Sequence, residues 1–216
     1  MRYLILIFSL FIFSACSSNK PKIEDNNITT KREVETQVEN RLDVRQRIVE
    51  KELNIYLQAL NNFDIDAIVD MTYPKLFTVI DGEIFKRYLT TMMNSKDILL
   101  KKYKTTTLKL GKVTKFSNGT QFAQVTYRAE AKIILLNKKL YRTEKSMNFL
   151  YDVFIHKYGR ENVSIDLKSR TLTIIENKKL VVLKVGDEKW KFLEDNPEYR
   201  RYFPHILPNE VLKYLK

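Results

Sequence analysis

Gln121-Phe122-Ala123-Gln124-Val125-Thr126-Tyr127-Arg128-Ala129-Glu130-Ala131-Lys132-Ile133-Ile134-Leu135 alternates with a period of two. Ala123, Val125, Tyr127, Ala129, Ala131, Ile133 and Leu135 point one way, and Gln124, Thr126, Arg128, Glu130 and Lys132 the other, which predicts a half-buried strand. Downstream and upstream segments read in the same manner. Leu108, Leu110 and Val113 precede a turn at Ser117-Asn118-Gly119. Met147, Phe149, Tyr151, Val153 and Ile155 follow a turn near Asn137-Lys138, and Val163, Ile165 and Leu167 lead into Leu172 and Ile174. Segments 180–185 and 189–193 complete the set. Strands joined by short polar turns predict antiparallel meanders.

Ahead of the strands the apolar period lengthens. Val44, Ile48, Ile55, Tyr56, Ala59, Leu60 and Phe63 follow helical spacing, with Arg45, Arg47, Glu50, Lys51 and Gln58 elsewhere, so 44–63 is an amphipathic helix. Asp64 offers an N-cap for a short second helix through Ile65, Ala67, Ile68 and Met71, which the residue before Pro74 should end. After Asp81-Gly82 the pairs Ile84/Phe85, Tyr88/Leu89 and Met92/Met93 step by four, a third helix. The expected fold is therefore α+β, with N-terminal helices packed on a curved, mostly antiparallel sheet.

Farther out, Met1-Arg2-Tyr3 precedes an apolar run from Leu4 to Phe13 and then Ser14-Ala15-Cys16-Ser17-Ser18. That is a secretory signal, shorter than a membrane span. Phe13-Ser14-Ala15-Cys16 resembles the lipobox of bacterial lipoproteins, with Phe13 in place of the usual Leu. The resemblance implies removal of residues 1–15 as a lipoprotein signal peptide and acylation of Cys16 as the mature N-terminus. Bulky Phe13 argues against an ordinary signal peptidase. Two or more acyl chains hold a protein durably at about 0.8 kcal/mol per buried methylene. Residues 16–43 are polar and read as a lipidated N-terminus and tether, with Val34, Val38 and Leu42 suggesting a helical lead-in.

From 44 to 193 the order of elements is similar to the cystatin-like cone of the nuclear transport factor two and SnoaL-like superfamily. It shares the long helix, the short Asp64-x-Asp66-Ala67 helix, the Pro74 turn, the third helix and a sheet ending Lys189-Trp190-Lys191-Phe192-Leu193. Enzymes of that superfamily set a carboxylate beside a His or Tyr inside the cone, which singles out Tyr56, Asp70 and Tyr127 as pocket candidates. Their dull reading is two core phenols and a solvated carboxylate. Trp190 reads as a core plug.

Other chemistry is thinly represented. No glycine-rich phosphate loop, nucleophile elbow or His-Glu-x-x-His occurs. The one Cys and the isolated His156 and His205 predict no metal centre and no cofactor; the strand reading puts His156 on an outer face near a strand end. The 38 basic residues against 26 acidic give +12, and Met1 to Ala15 accounts for only one of those charges. Basic clusters at Lys101-Lys102-Tyr103-Lys104, Lys138-Lys139, Lys157 with Arg160, Lys178-Lys179 and Arg200-Arg201 suit anionic lipid, a glycan or an acidic protein partner, or simply a solvated surface. Export argues against nucleic acid. Residues 194–216 form a C-terminal tail with a short helix opened by Pro208, suited to closing over the sheet.

These readings converge on a bacterial lipoprotein joined to the membrane through Cys16, placed in the outer membrane of the cell envelope. Its exported domain is expected to act as a binding or scaffold module, with no catalysis required. Two rivals stand beside it: an isomerase or hydro-lyase with a pocket Asp/Tyr pair, and an envelope assembly factor binding a partner through its basic face.

Overall fold

The computed structural model describes residues 42–215. The signal segment, Cys16, the tether up to residue 41 and the lead-in at Val34 and Val38 lie outside the described residues.

Asp43 opens α1 (Val44–Asn62) with a reciprocal pair, its carboxylate accepting from the Gln46 N–H while Gln46 Oε1 accepts from the Asp43 N–H. Asp64 caps α2 (Ile65–Met71) and Pro74 begins a 3-10 turn (Pro74–Thr78), as the sequence predicts, and Asp81 caps α3 (Gly82–Met93). The face of α1 that packs differs from expectation. Val44, Ile48 and Ile55 are 72%, 52% and 48% exposed, whereas Val49, Leu53, Tyr56 and Leu60 are buried. α1 carries two apolar stripes. The buried one runs without a gap at i, i+4, i+7 and i+11, and so covers more of the sheet.

Six strands follow: β1 (Ile98–Leu110), β2 (Thr114–Lys115), β3 (Gln121–Leu135), β4 (Val163–Asp166), β5 (Thr171–Lys184) and β6 (Lys191–Glu194). All pair antiparallel in the order β1-β3-β5-β4, with β2 beside β3 and β6 beside β5. Register shifts at Leu100/Lys102 and Thr107/Lys109 put bulges into β1, which bend and twist that edge. The fold is thus α+β, helices on a curved antiparallel sheet. The turn at Ser117-Asn118-Gly119 is present, with Gly119 at φ 84, a left-handed position that favours glycine.

Residues Met147 to Ile155 are not a strand. They lie in α4 (Glu144–Tyr158), opened by Thr143, whose side chain accepts from the Ser146 N–H while Ser146 Oγ accepts from the Thr143 N–H. The segment is apolar in both periods. The helical stripe Met147, Phe154 and Tyr158 is buried, while Phe149 and Val153, which the period-two reading placed inward, are 69% and 44% exposed. The cap decides between the two. Gly159 at φ 88 ends the helix. In consequence the chain is not a simple meander: after α4 it lays β4 on the outside, and β5 returns between β4 and β3.

Three apolar clusters hold the layers together. One joins α1–α3 to Ala123, Val125, Tyr127, Leu180, Val182 and Phe192. A second, on the same side of the sheet but at its other end, joins α4 to Ile133, Leu135, Leu172 and Ile174. The third lies on the opposite side, where Phe122, Val181, Leu183 and Leu193 meet the C-terminal tail. The tail folds as α5 (Pro197–Arg200), α6 (Phe203–Ile206) and α7 (Asn209–Leu212), burying Phe203, Ile206 and Val211. Asn118 Nδ2 donates to the Glu210 carboxylate, tying α7 to the turn before β3.

Candidate functional site

On its helix-facing side β5 presents Leu172, Ile174, Glu176, Lys178, Leu180 and Val182 in succession. The apolar ends belong to two different clusters, so Glu176 and Lys178 form a charged seam between them. Lys178 is only 7% exposed. Its Nζ donates to Glu194 Oε1 at 2.8 Å, and Tyr127 Oη donates to the same oxygen at 3.0 Å. Asn196 Nδ2 donates to Glu194 Oε2 at 3.3 Å. Residues of β3, β5, β6 and the start of the tail therefore converge on one carboxylate.

Phenols surround this pair. Tyr103 is buried with Tyr127 and Lys178 among the groups that act on it, and Tyr56 of α1 stacks on Phe192 with ring centroids 4.5 Å apart. A cavity of about 30 Å³ lies against Glu194, lined also by Tyr56, Leu60, Phe85, Leu89 and Tyr199. That volume holds one or two waters. It does not hold a substrate the size of those turned over in drug-sized pockets of about 300 Å³ and more.

Burial governs the electrostatics. It pushes the Tyr103 hydroxyl up to about 12 and raises Tyr56, Tyr127 and Tyr199 above the ordinary phenol range, with the Glu194 charge adding to the rise in Tyr56, Tyr127 and Tyr199. These phenols stay protonated, and Tyr127 donates to Glu194. Burial pulls the Lys178 ammonium down, but Glu194, Tyr103 and Glu176 outweigh it and hold the lysine charged. Glu176 is different: burial pushes its carboxyl up to about 7, Glu194 adds to the rise, and Lys178 and Lys157 of α4 oppose it. Its Oε1 is buried without a hydrogen-bond partner.

The chemistry that follows is a locked ion pair. Glu194 is occupied by three protein donors and Lys178 by its counter-ion, so neither is poised to take a substrate proton. Among the described residues no three His, Cys, Asp or Glu side chains stand close enough to hold a metal ion, and no helix is long and apolar enough to cross a membrane.

Of the sequence candidates, the structure brings Tyr56 and Tyr127 into this cluster and leaves Asp70 out. Asp70 is exposed on α2, and its backbone oxygen accepts from Lys191 Nζ. The carboxylate beside the phenols is Glu194, which sequence reasoning missed by assigning it to the tail. The signal was there: Trp190, Phe192 and Glu194 continue one inward register. His156 lies in the last turn of α4 rather than at a strand end, and both it and His205 are exposed. Trp190 is buried in the helix-facing core. Of the basic clusters, Lys101-Lys102-Tyr103-Lys104 lies within β1, and Lys178 is interior.

No known protein family and no curated protein matches this sequence. Among solved structures, the intermembrane space region of the chloroplast protein ARC6 is similar over 71% of this chain and 95% of that one, at 22% identity and a TM-score of 0.28. A likeness that loose carries no inference about function.

Proposed function

We propose that the protein is a bacterial lipoprotein of the outer membrane, anchored through acylated Cys16, whose α+β domain is a binding or scaffold module of the cell envelope. The observation that carries the module reading is the filled interior. Tyr56, Phe192 and the Tyr127–Glu194–Lys178 cluster occupy the space a cone-shaped enzyme would keep for substrate, and among the described residues the cavity against Glu194 is about 30 Å³. A domain closed inside binds with its outside. The lipobox at Phe13-Ser14-Ala15-Cys16 supports the anchor, and the order of helices and strands supports membership of the nuclear transport factor two-like cone superfamily.

The enzymatic alternative, an isomerase or hydro-lyase, has one feature in its favour, a buried phenol–carboxylate contact between Tyr127 and Glu194. Saturation of that carboxylate by Lys178 and Asn196 weighs against it.

Intact-mass spectrometry of membrane fractions from cells expressing wild type and Cys16→Ser tests the anchor. Acyl mass on wild type alone is the expected result; a processed wild type without lipid overturns it. Native mass spectrometry of the detergent-released wild type tests the module. A stoichiometric small metabolite lost on Glu194→Gln overturns the filled-interior reading in favour of the enzyme.

A further inference from the structure

Strand alternation puts a second set of charges on the side of the sheet away from α1–α4. Lys102, Lys104 and Lys109 of β1, Arg128 and Lys132 of β3, and Lys179 of β5 all fall there. Lys102, Lys104, Lys109, Arg128 and Lys179 are exposed. Among the described residues the acids on this side of the strands are Glu130, held 3.5 Å from Lys132, Asp166, engaged by the Ser169 hydroxyl and the Lys168 and Ser169 N–H groups, and Asp195, opposite Lys179 and paired with Arg200 of the tail. The tail covers the far end of the same side, around Val181, Leu183 and Leu193, and the described chain leaves these charges to solvent.

The register sharpens the point. Lys102 stands directly opposite Lys132, and Lys109 and Lys179 flank Thr126 from its two neighbouring strands. Like charges directly opposite on an antiparallel pair are destabilising, so the arrangement favours an anion above it. Between the cations stand short hydroxyl and amide side chains, Thr106, Thr126, Thr173 and Asn177. At about 4.8 Å between strands and 3.3 Å per residue, the charges spread over roughly 10 Å by 23 Å. An extended acidic peptide matches one line of charge; a two-dimensional array of phosphates matches all of it.

We infer that this side of the sheet is a docking surface for the headgroups of an anionic phospholipid bilayer. The inference rests on the proposed anchor for its context: 27 residues separate Cys16 from Val44, so an anchored domain stays within about 90 Å of the bilayer. Each basic side chain near an anionic membrane strengthens partition about fivefold.

The test uses the full chain carrying Cys16→Ser, so that no acyl chain contributes, with vesicles of phosphatidylcholine alone or mixed with phosphatidylglycerol. Adding Lys102→Gln, Lys104→Gln and Arg128→Gln should lower partition to the anionic vesicles about 100-fold. A control with the same charge change elsewhere, Lys75→Gln, Lys139→Gln and Lys145→Gln, should lower it less than tenfold, with partition to neutral vesicles and thermal melting equal in both. Equal losses in the two triples overturn the inference. So does a triple that keeps vesicle binding and loses binding of polyglutamate, which assigns the face to an acidic protein instead. Failure of acylation at Cys16, read separately by mass, leaves the vesicle result standing.

Discussion

Replacing Glu176 by Gln removes one titrating carboxyl from the seam between α4 and the sheet while keeping its size. In the folded protein burial raises this carboxyl from the ordinary 4.5 to about 7, facing Lys178 on its own strand, Glu194 on β6 and Lys157 on α4. A folded-state value above the unfolded one means that the native chain holds a proton which the unfolded chain releases. The associated stability is fully present below pH 4.5 and is lost as pH rises through about 7. At about 1.36 kcal/mol per pH unit the interval amounts to about 3 kcal/mol. Urea unfolding followed by circular dichroism across this range should show wild type losing about 3 kcal/mol more than Glu176→Gln between the acidic and alkaline ends. The variant should be the more stable protein above pH 7, because Gln carries no charge to desolvate. Parallel curves for the two proteins would refute the reasoning, since they would mean that Glu176 titrates alike in folded and unfolded chains.

Lys178→Met strands the Glu194 carboxylate in the interior and should cost about 3–5 kcal/mol, most of it recovered by adding Glu194→Leu; denaturant midpoints of the two single variants and the double variant measure this. Thr143→Ala removes the cap of α4 and should cost about 1 kcal/mol, with amide exchange accelerated in α4 ahead of β3; a β-strand at this position would show no such dependence.

Strong local signals made much of this fold readable without coordinates. The capping carboxylate Asp64 fixes a helix start within three residues of chain, and the alternation running from Ala123 to Ile133 predicts the strand observed at β3. Pro74 and Gly119 act through their own backbone preferences and fell where expected. Local signals of equal strength in two periods gave the wrong answer at Met147 to Ile155. There the deciding interaction is the reciprocal contact of Thr143 with Ser146, together with the bed that Leu172 and Ile174 provide.

The sequence by itself determined the class of fold, the three helices ahead of the sheet, and which side chains of β3 point inward, because propensity, capping and alternation act over a few neighbours. Only the tertiary structure decided which of two apolar stripes on α1 is buried, that β5 lies between β3 and β4, and that the carboxylate beside Tyr56 and Tyr127 is Glu194 rather than Asp70. Those outcomes depend on residues from β3, β5 and β6, separated by up to 67 positions in the chain. Their desolvation and pairing energies exist only once the strands are side by side.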